Sequence, residues 1–206
     1  MSALVYVVEA DSASKTEIDR LLKARGYQTL AYGSADEILE KMPDRERAGC
    51  IVVDMQTRDA AVHDFFDRLI KTGSNLPVIF LTGHSDVRTG VQAIKAGAED
   101  FFTKPVEREE FIRAIDRAIA RHRLANERES RVCTLTARLQ RLTGRERQVF
   151  ELVAMGRMNK QVAFELGMTE RTVKAHRRKV MEKMQLRSAF ELVSCAERLG
   201  LSTGSL

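Results

Sequence analysis

Side chains that together can move a phosphoryl group stand at the ends of short apolar runs. Glu9-Ala10-Asp11 follows Leu4-Val5-Tyr6-Val7-Val8, Asp54 follows Ile51-Val52-Val53, Thr82 follows Val78-Ile79-Phe80-Leu81, and Lys104 follows the run that begins at Asp100. A carboxylate such as Asp54 can attack phosphorus, nearby acids can hold Mg²⁺, and a hydroxyl and an ammonium can bind the transferred oxygens. Each residue alone has a plainer reading: Asp54 as a cap, Thr82 as a turn former, Lys104 as a surface charge. A second constellation lies far downstream. Drawn as a helix at about 100° per residue, Glu170 to Met184 places Val173, Val180 and Met184 on one stripe, with Arg171, Lys174, Ala175 and Arg178 opposite. Arg and Lys near a helix N-terminus suit guanine edges in the major groove of double-stranded DNA, and Ala175 allows close approach to a thymine methyl. Lys179 and Lys183 flank that face and Arg177 lies at its other border, positions from which each can neutralise a phosphate. The plainer reading is a solvated basic helix.

To converge, the first set needs strands that end at one edge. The continuous apolar runs read as strands buried on both faces, with helical patterns between them. Ser14-x-x-Glu17 and Ser34-x-x-Glu37 read as capping boxes, and Gly26 and Gly97 sit where helices should end. This alternation predicts a doubly wound, five-stranded parallel α/β sheet with ligands at the carboxyl ends of its strands. Its fifth strand is placed at Asp100 to Thr103. Glu107 to about Arg128 reads as one long amphipathic helix with Phe111, Ile112, Ile115 and Ile119 on its apolar side, and 125–141 as a charged linker. The organisation predicted is a first domain over 1–122, a helical linker over 123–140 and a second domain over 141–206. The second domain reads as all-α with four helix starts: Thr143-x-x-Glu146, Asn159, Thr169 and Ser188-x-x-Glu191. Gly156, Gly167 and Gly200 punctuate its helices, and Gly167-Met168-Thr169 matches the tight turn of a helix-turn-helix.

Bulk composition agrees with this division. The 206 residues are 44% hydrophobic and 31% charged, enough for two small cores. Residues 1–125 hold 18 basic against 20 acidic side chains, whereas 126–206 hold 16 against 9, so the second half is the one suited to a polyanion. Cys50, Cys133 and Cys195 are far apart, without a CxxC pair, and read as reduced buried thiols. No apolar run reaches the roughly 18 residues of a membrane span, and Met1 to Val8 lacks the pattern of a secretory signal. The expectation is a cytoplasmic protein with no membrane partner. A flavodoxin-like enzyme is disfavoured, because no Gly-rich phosphate loop follows Val8 and no nucleophile–base pair is recognisable. An RNA-binding antiterminator is disfavoured because the chain has no Trp and only 6% aromatic residues on which bases could stack.

The run Leu142-Thr143-Gly144-Arg145-Glu146-Arg147-Gln148-Val149, followed by Gly156, Asn159-Lys160, Ala163, Leu166, Thr169, Thr172-Val173-Lys174, His176-Arg177 and Lys183-Met184, resembles the LuxR/NarL/FixJ family of DNA-binding domains. That resemblance implies base or groove contact by Lys174, Ala175 and Arg178, places Asn159-Lys160 beside the phosphate backbone, and leaves His176 a structural role. Over about residues 3 to 122, the order Asp54, Thr82-Gly83-His84, Lys95-Ala96-Gly97-Ala98, Lys104-Pro105 resembles the receiver domain of bacterial response regulators, especially the FixJ type. By that resemblance Asp54 is the phosphoacceptor, Thr82 the switch hydroxyl, Phe101 the switch aromatic and Lys104 the phosphoryl-binding cation. Mg²⁺ would be held by Glu9, Asp54 and Gln56. Two departures stand out. Receivers carry two adjacent acids after the first strand, but here Ala10 follows Glu9, and Asp11 points to another side of the chain, so Mg²⁺ should bind weakly. The loop from Met55 to Val62 also lacks the usual Met-Pro pair and later Gly.

Together the resemblances imply a response-regulator-type transcription regulator, homodimeric when active, with a sensor histidine kinase and RNA polymerase among its partners. Phosphorylation of Asp54 is expected to be weak or dispensable; the alternative is an ordinary Asp54-phosphorylated regulator under a histidine kinase. Two dimer surfaces stay open: Asp86 to Gly97 with the strand ending at Phe102, or the last helix, Ser188 to Leu199. The long helix from Glu107 is the expected lever between the domains.

Overall fold

The computed structural model describes residues 3–41, 47–54, 62–83 and 87–201, the side chains of 62, 63 and 87–89 aside. The chain divides into two compact units, Met1–Asn126 and Glu127–Leu206. In the first, the strands β1 (Leu4–Val8), β2 (Gln28–Tyr32), β3 (Gly49–Asp54), β4 (Val78–Thr82) and β5 (Asp100–Thr103) form one sheet in the order β2-β1-β3-β4-β5, every pairing parallel. Helices α1 (Ser12–Ala24), α2 (Ala35–Glu40), α3 (Val62–Lys71), α4 (Val87–Ala96) and α5 (Arg108–Leu139) connect and follow the strands.

Both faces of the sheet are covered, which explains the unbroken apolar runs. Tyr6, Val8, Ile51, Val53, Val78 and Phe80 pack on one side with Ile38, Phe65 and Leu69. Val5, Val7, Val52, Ile79 and Leu81 pack on the other with Leu22, Phe111 and Ile115. Burying each such side chain contributes about 1.5 to 3 kcal/mol. The register sets Val8 beside Val53, Asp54 beside Leu81 and Thr82 beside Thr103, so the residues that end or follow these strands gather at one edge.

Several local features differ from expectation. Helix α1 starts at Ser12, and its cap is Asp11, whose carboxylate accepts the Ser14 N–H at 2.7 Å; Ser14 is therefore inside the first turn and not a cap. Ser34 does cap α2, accepting the Glu37 N–H at 3.2 Å. Gly26 (φ +83°) and Gly97 (φ +107°) end α1 and α4 in the left-handed region where glycine carries no Cβ penalty. Gly49 is required for a different reason: a Cβ there would lie 2.3 Å from the Leu4 carbonyl oxygen. The Gly49 N–H donates to Nδ1 of His122, a 1%-exposed side chain of α5 whose Nε2 lies 2.8 Å from Asn75 Oδ1.

The amphipathic helix read to about Arg128 and the helical linker read beyond it form one helix, α5, which runs for 32 residues to Leu139. Residues 127–134 are exposed on every side, so no apolar stripe marks them as helical. The stripe returns at Leu135 and Leu139, which join the second core.

That core also contains Val149, Phe150, Val162, Val173, Val180, Met184 and Leu192, contributed by α6 (Gly144–Ala154), α7 (Asn159–Leu166), α8 (Glu170–Met184) and α9 (Ala189–Arg198). Thr143 and Glu146 form the expected reciprocal box, and Thr169 and Ser188 cap α8 and α9. Asn159 is not a cap: Met158 holds that position and donates its N–H to Gln161 Oε1 at 2.8 Å, leaving Asn159 as the first helical residue. Gly167 (φ +63°) ends α7 and opens the expected turn into α8. Among the cysteines, Cys50 and Cys195 are buried, but Cys133 lies on the exposed stretch of α5, contrary to the reading of three buried thiols.

Candidate functional site

The edge where β1, β3, β4 and β5 end carries a small buried ion cluster. Glu9 and Asp54 are each 2% exposed. The Lys104 ammonium, on the residue after β5, lies 2.6 Å from Asp54 Oδ2 and 2.8 Å from Glu9 Oε2. The second oxygen of Glu9 accepts the Asp11 N–H at 2.9 Å, and the Lys104 N–H donates to the Thr82 carbonyl at 2.7 Å. Burial, reinforced by a hydrogen bond with Asp54, pushes the Glu9 carboxyl above its usual range. Burial pulls Lys104 the other way, but its hydrogen bonds to Asp54 and Glu9 outweigh that effect and hold the ammonium above its ordinary value. One firmly charged cation thus serves two buried carboxylates.

The remaining pocket residues fall at different distances from this cluster. Thr82, nearly buried, ends β4 at the same edge. Phe101 is half-buried, its ring so close to α4 that a Cβ on Gly90 would lie 3.0 Å from two ring carbons. Asp11 is exposed and committed to capping α1; accepting the Ser14 N–H lowers its carboxyl. Gln56, His84 and the loop 55–61 lie outside the described residues.

Among the described residues, no group of three His, Cys, Asp or Glu side chains is arranged to hold a metal ion. Glu9 and Asp54 could each offer Mg²⁺ an oxygen, but Ala10 offers none from its side chain, Asp11 is turned to the helix, and Lys104 already sits on both carboxylates. Mg²⁺ wants several oxygen ligands in near-octahedral array. The described donors therefore do not fit a tight Mg²⁺ site.

On α8, Val173, Val180 and Met184 are fully buried, while Arg171, Lys174, Ala175, Arg178 and Lys179 are exposed. Lys160 is exposed on α7. Arg177 is half-buried and donates from Nη1 to Asn159 Oδ1 at 3.1 Å, joining α8 to α7. His176 is half-buried, consistent with a structural place, although its buried Nδ1 finds no hydrogen-bond partner. Lys183 differs from the expectation of a phosphate-facing charge. Its ammonium lies 2.6 Å from Glu146 Oε2, on a residue only 3% exposed, and 3.3 Å from the Arg141 carbonyl. The Lys183 side chain is 34% exposed, but its ammonium is already paired with a buried carboxylate. The sequence showed Glu146 only as half of a capping box; its second partner lies 37 residues downstream, beyond any local signal.

A doubly wound sheet with an acid–lysine pocket, followed by a helix-turn-helix with a basic outer face, defines a two-domain signalling protein that binds DNA. Comparison with known proteins places it further. Residues 5–116 match the family described as response regulator receiver domain, and residues 140–196 match bacterial regulatory proteins of the luxR family. The chain is 39% identical over 201 residues to nodulation protein W of Bradyrhizobium diazoefficiens, covering 97% of this chain and 88% of that one. It is 37% identical over 193 residues to the transcriptional regulatory protein FixJ of Rhizobium meliloti, covering 93% and 94% respectively. The solved structure of the response regulator StyR superposes with a TM-score of 0.82 at 34% identity, covering 96% of this chain and all of that one.

The chain belongs to the two-component response regulators of the LuxR/NarL/FixJ family: a receiver domain followed by a LuxR-type DNA-binding domain. It is a transcription regulator, not an enzyme. None of the described helices is long and apolar enough to cross a membrane.

Proposed function

We propose that this regulator reads DNA with α8 under a receiver in which phosphorylation of Asp54 is weak or dispensable. The observation that carries the reading is the Lys104 ammonium held on both Glu9 and Asp54, with Ala10 where a second acid would stand. In this reading Asp54 keeps the acceptor position, Thr82 and Lys104 face the phosphoryl oxygens, Phe101 is the switch aromatic, and Mg²⁺ binds weakly at Glu9 and Asp54, with Gln56 as the remaining expected ligand. Arg171, Lys174, Ala175 and Arg178 enter the major groove, while Asn159, Lys160, Arg177 and Lys179 lie against phosphates. The working division is a receiver over 1–122, a helical linker over 123–140 and the DNA-binding domain over 141–206. A single 15-residue helix touches few base pairs, so the active form is a homodimer on half-sites about one turn, roughly 34 Å, apart. A sensor histidine kinase is the partner that the receiver class implies, and RNA polymerase is the partner through which a DNA-bound regulator acts.

Incubation with acetyl phosphate or beryllofluoride and Mg²⁺, followed by intact-mass measurement and DNA titration, tests the reading. Expected are little stable modification and an unchanged DNA affinity. Full, stable modification of Asp54 with a gain in DNA affinity would establish the second reading, an ordinary regulator switched by a histidine kinase. That reading is favoured by the retained Asp54–Lys104 contact at 2.6 Å.

A further inference from the structure

Helix α8 is held at its middle and at its far end by different parts of the chain. At its middle, Arg177 bonds to Asn159 at the start of α7. Its far end is held by residues that precede or open α6. Arg138, in the last turn of α5, donates from Nη1 to the carbonyl of Met184, the last residue of α8, at 3.2 Å. The neighbouring Lys183 bonds to the Arg141 carbonyl and to Glu146, whose carboxylate also accepts the Thr143 N–H at 2.8 Å.

The chemistry suits a fixed mount. The last carbonyls of a helix have no partner within it and carry the negative end of its dipole, so a guanidinium donating there satisfies an orphan acceptor and complements the field. Gln185, which follows, turns away in the left-handed region (φ 56°, ψ 44°), leaving the Met184 carbonyl to the arginine. Leu139, one residue beyond Arg138, is buried in the same cluster as Val180 and Met184.

We propose that Arg138 and Lys183 are positioning residues for DNA reading, which fix the tilt of α8 from the end of α5 without touching DNA. The inference rests on α8 being the helix that reads DNA. A 15-residue helix is about 22 Å long, so a 1 Å shift of its far end turns it by about 3°. Such a turn is enough to misalign side chains that must meet base edges in pairs. The last turn of α5 thereby becomes part of the reading machinery, and a change in that turn reaches the bases through Arg138.

The test uses the full chain, a duplex enriched by the wild-type protein from a randomised pool, and a scrambled duplex of equal length. Arg138→Met keeps the apolar stem and removes the donors. It should weaken the enriched duplex by about three- to tenfold, as expected for the loss of one hydrogen bond, and leave the scrambled duplex within about twofold. The slope of log affinity against log salt should stay at the wild-type value, and Arg138→Lys should restore most of the loss. Lys183→Met should also keep the slope. A slope that drops by about one for either variant would make that residue a phosphate ligand and overturn the proposal. Unchanged affinity of Arg138→Met for both duplexes would overturn it too, as would an equal loss on both, which marks general unfolding. Failure of the wild-type protein to enrich any duplex would remove the reading on which the inference stands, an outcome separate from any effect of Arg138.

Discussion

Replacing Lys104 by Met takes from Glu9 and Asp54 the ammonium they share and leaves two nearly sealed carboxylates facing one another. Removing one partner of a buried ion pair typically costs about 3 to 5 kcal/mol, because the charge left behind keeps its desolvation penalty. The Lys104 side chain is 25% exposed, so water screens one side of the cluster, and the lower figure of about 3 kcal/mol is the one to expect. A domain with a total stability of about 5 to 15 kcal/mol would survive that loss but unfold much earlier. The chain offers a selective probe: it has no Trp, and its three tyrosines, Tyr6, Tyr27 and Tyr32, all lie in the first unit. Tyrosine fluorescence in urea therefore follows the receiver alone. With a slope of about 2 kcal/mol per molar urea, the midpoint should fall by about 1.5 M. Lys104→Arg should recover most of the difference, and adding Asp54→Asn to Lys104→Met should recover part. A midpoint shift under about 0.3 M for Lys104→Met would refute the argument that this ammonium neutralises the pocket.

Four further outcomes are expected. Ala10→Asp should lower the Mg²⁺ concentration needed for half-maximal acetyl phosphate labelling of Asp54 by about tenfold or more, read by intact mass. Lys174→Ala and Arg178→Ala should each relax base preference by about 1 to 3 kcal/mol in competition binding, with the loss concentrated at particular base pairs. Gly49→Ala should cost the receiver about 3 kcal/mol or more by the same tyrosine assay, since its Cβ would meet the Leu4 backbone at 2.3 Å. Lys183 first, then the Thr143 N–H, holds the Glu146 carboxyl below the usual range. Its stabilising contribution is therefore present above the ordinary carboxylate pKa and is lost as pH falls through the lowered one. Helicity of the second unit by circular dichroism should fall in that window, and Glu146→Gln should lower stability at neutral pH and flatten this dependence.

The strands β1, β3 and β4 were legible because burial on both faces leaves a continuous apolar run. Strand β2 was not located, and its side chains show why: Gln28 to Tyr32 lie at the sheet edge, half-buried or exposed, so nothing forces the run to be apolar. That the amphipathic helix and the helical linker are one continuous helix is not legible for a related reason, since a helix with solvent on every side needs no stripe. Caps were readable where the bonding is local, at Thr143, Thr169 and Ser188, and misplaced at Ser14 and Asn159, where a neighbour does the work. The convergence of Glu9, Asp54, Thr82 and Lys104 followed from the rule that parallel strands end at one edge. That Lys104 binds both acids at once did not follow, because it depends on side-chain reach across three strands. On α8 the exposed face is legible from periodicity; the pairing of Lys183 with Glu146 is not, because Glu146 lies on another helix.

The substitution at position 10 and the geometry of Lys104 have one electrostatic meaning. A pocket with two adjacent acids after β1 and a third after β3 would hold three negative charges against one lysine, and a divalent cation would be the natural way to balance it. With Ala10 in place, the acids that share Lys104 among the described residues are Glu9 and Asp54. The pocket can thus be buried without a divalent ion, and the same balance works against phosphorylation. Two like charges 4 Å apart repel by about 4 kcal/mol at an effective dielectric constant near 20. A phosphoryl group arriving on Asp54 brings added negative charge beside Glu9, where Lys104 already bonds both carboxylates. The charge balance of the resting pocket therefore supports the proposal that phosphorylation of Asp54 is weak or dispensable, which the acetyl phosphate labelling experiment tests.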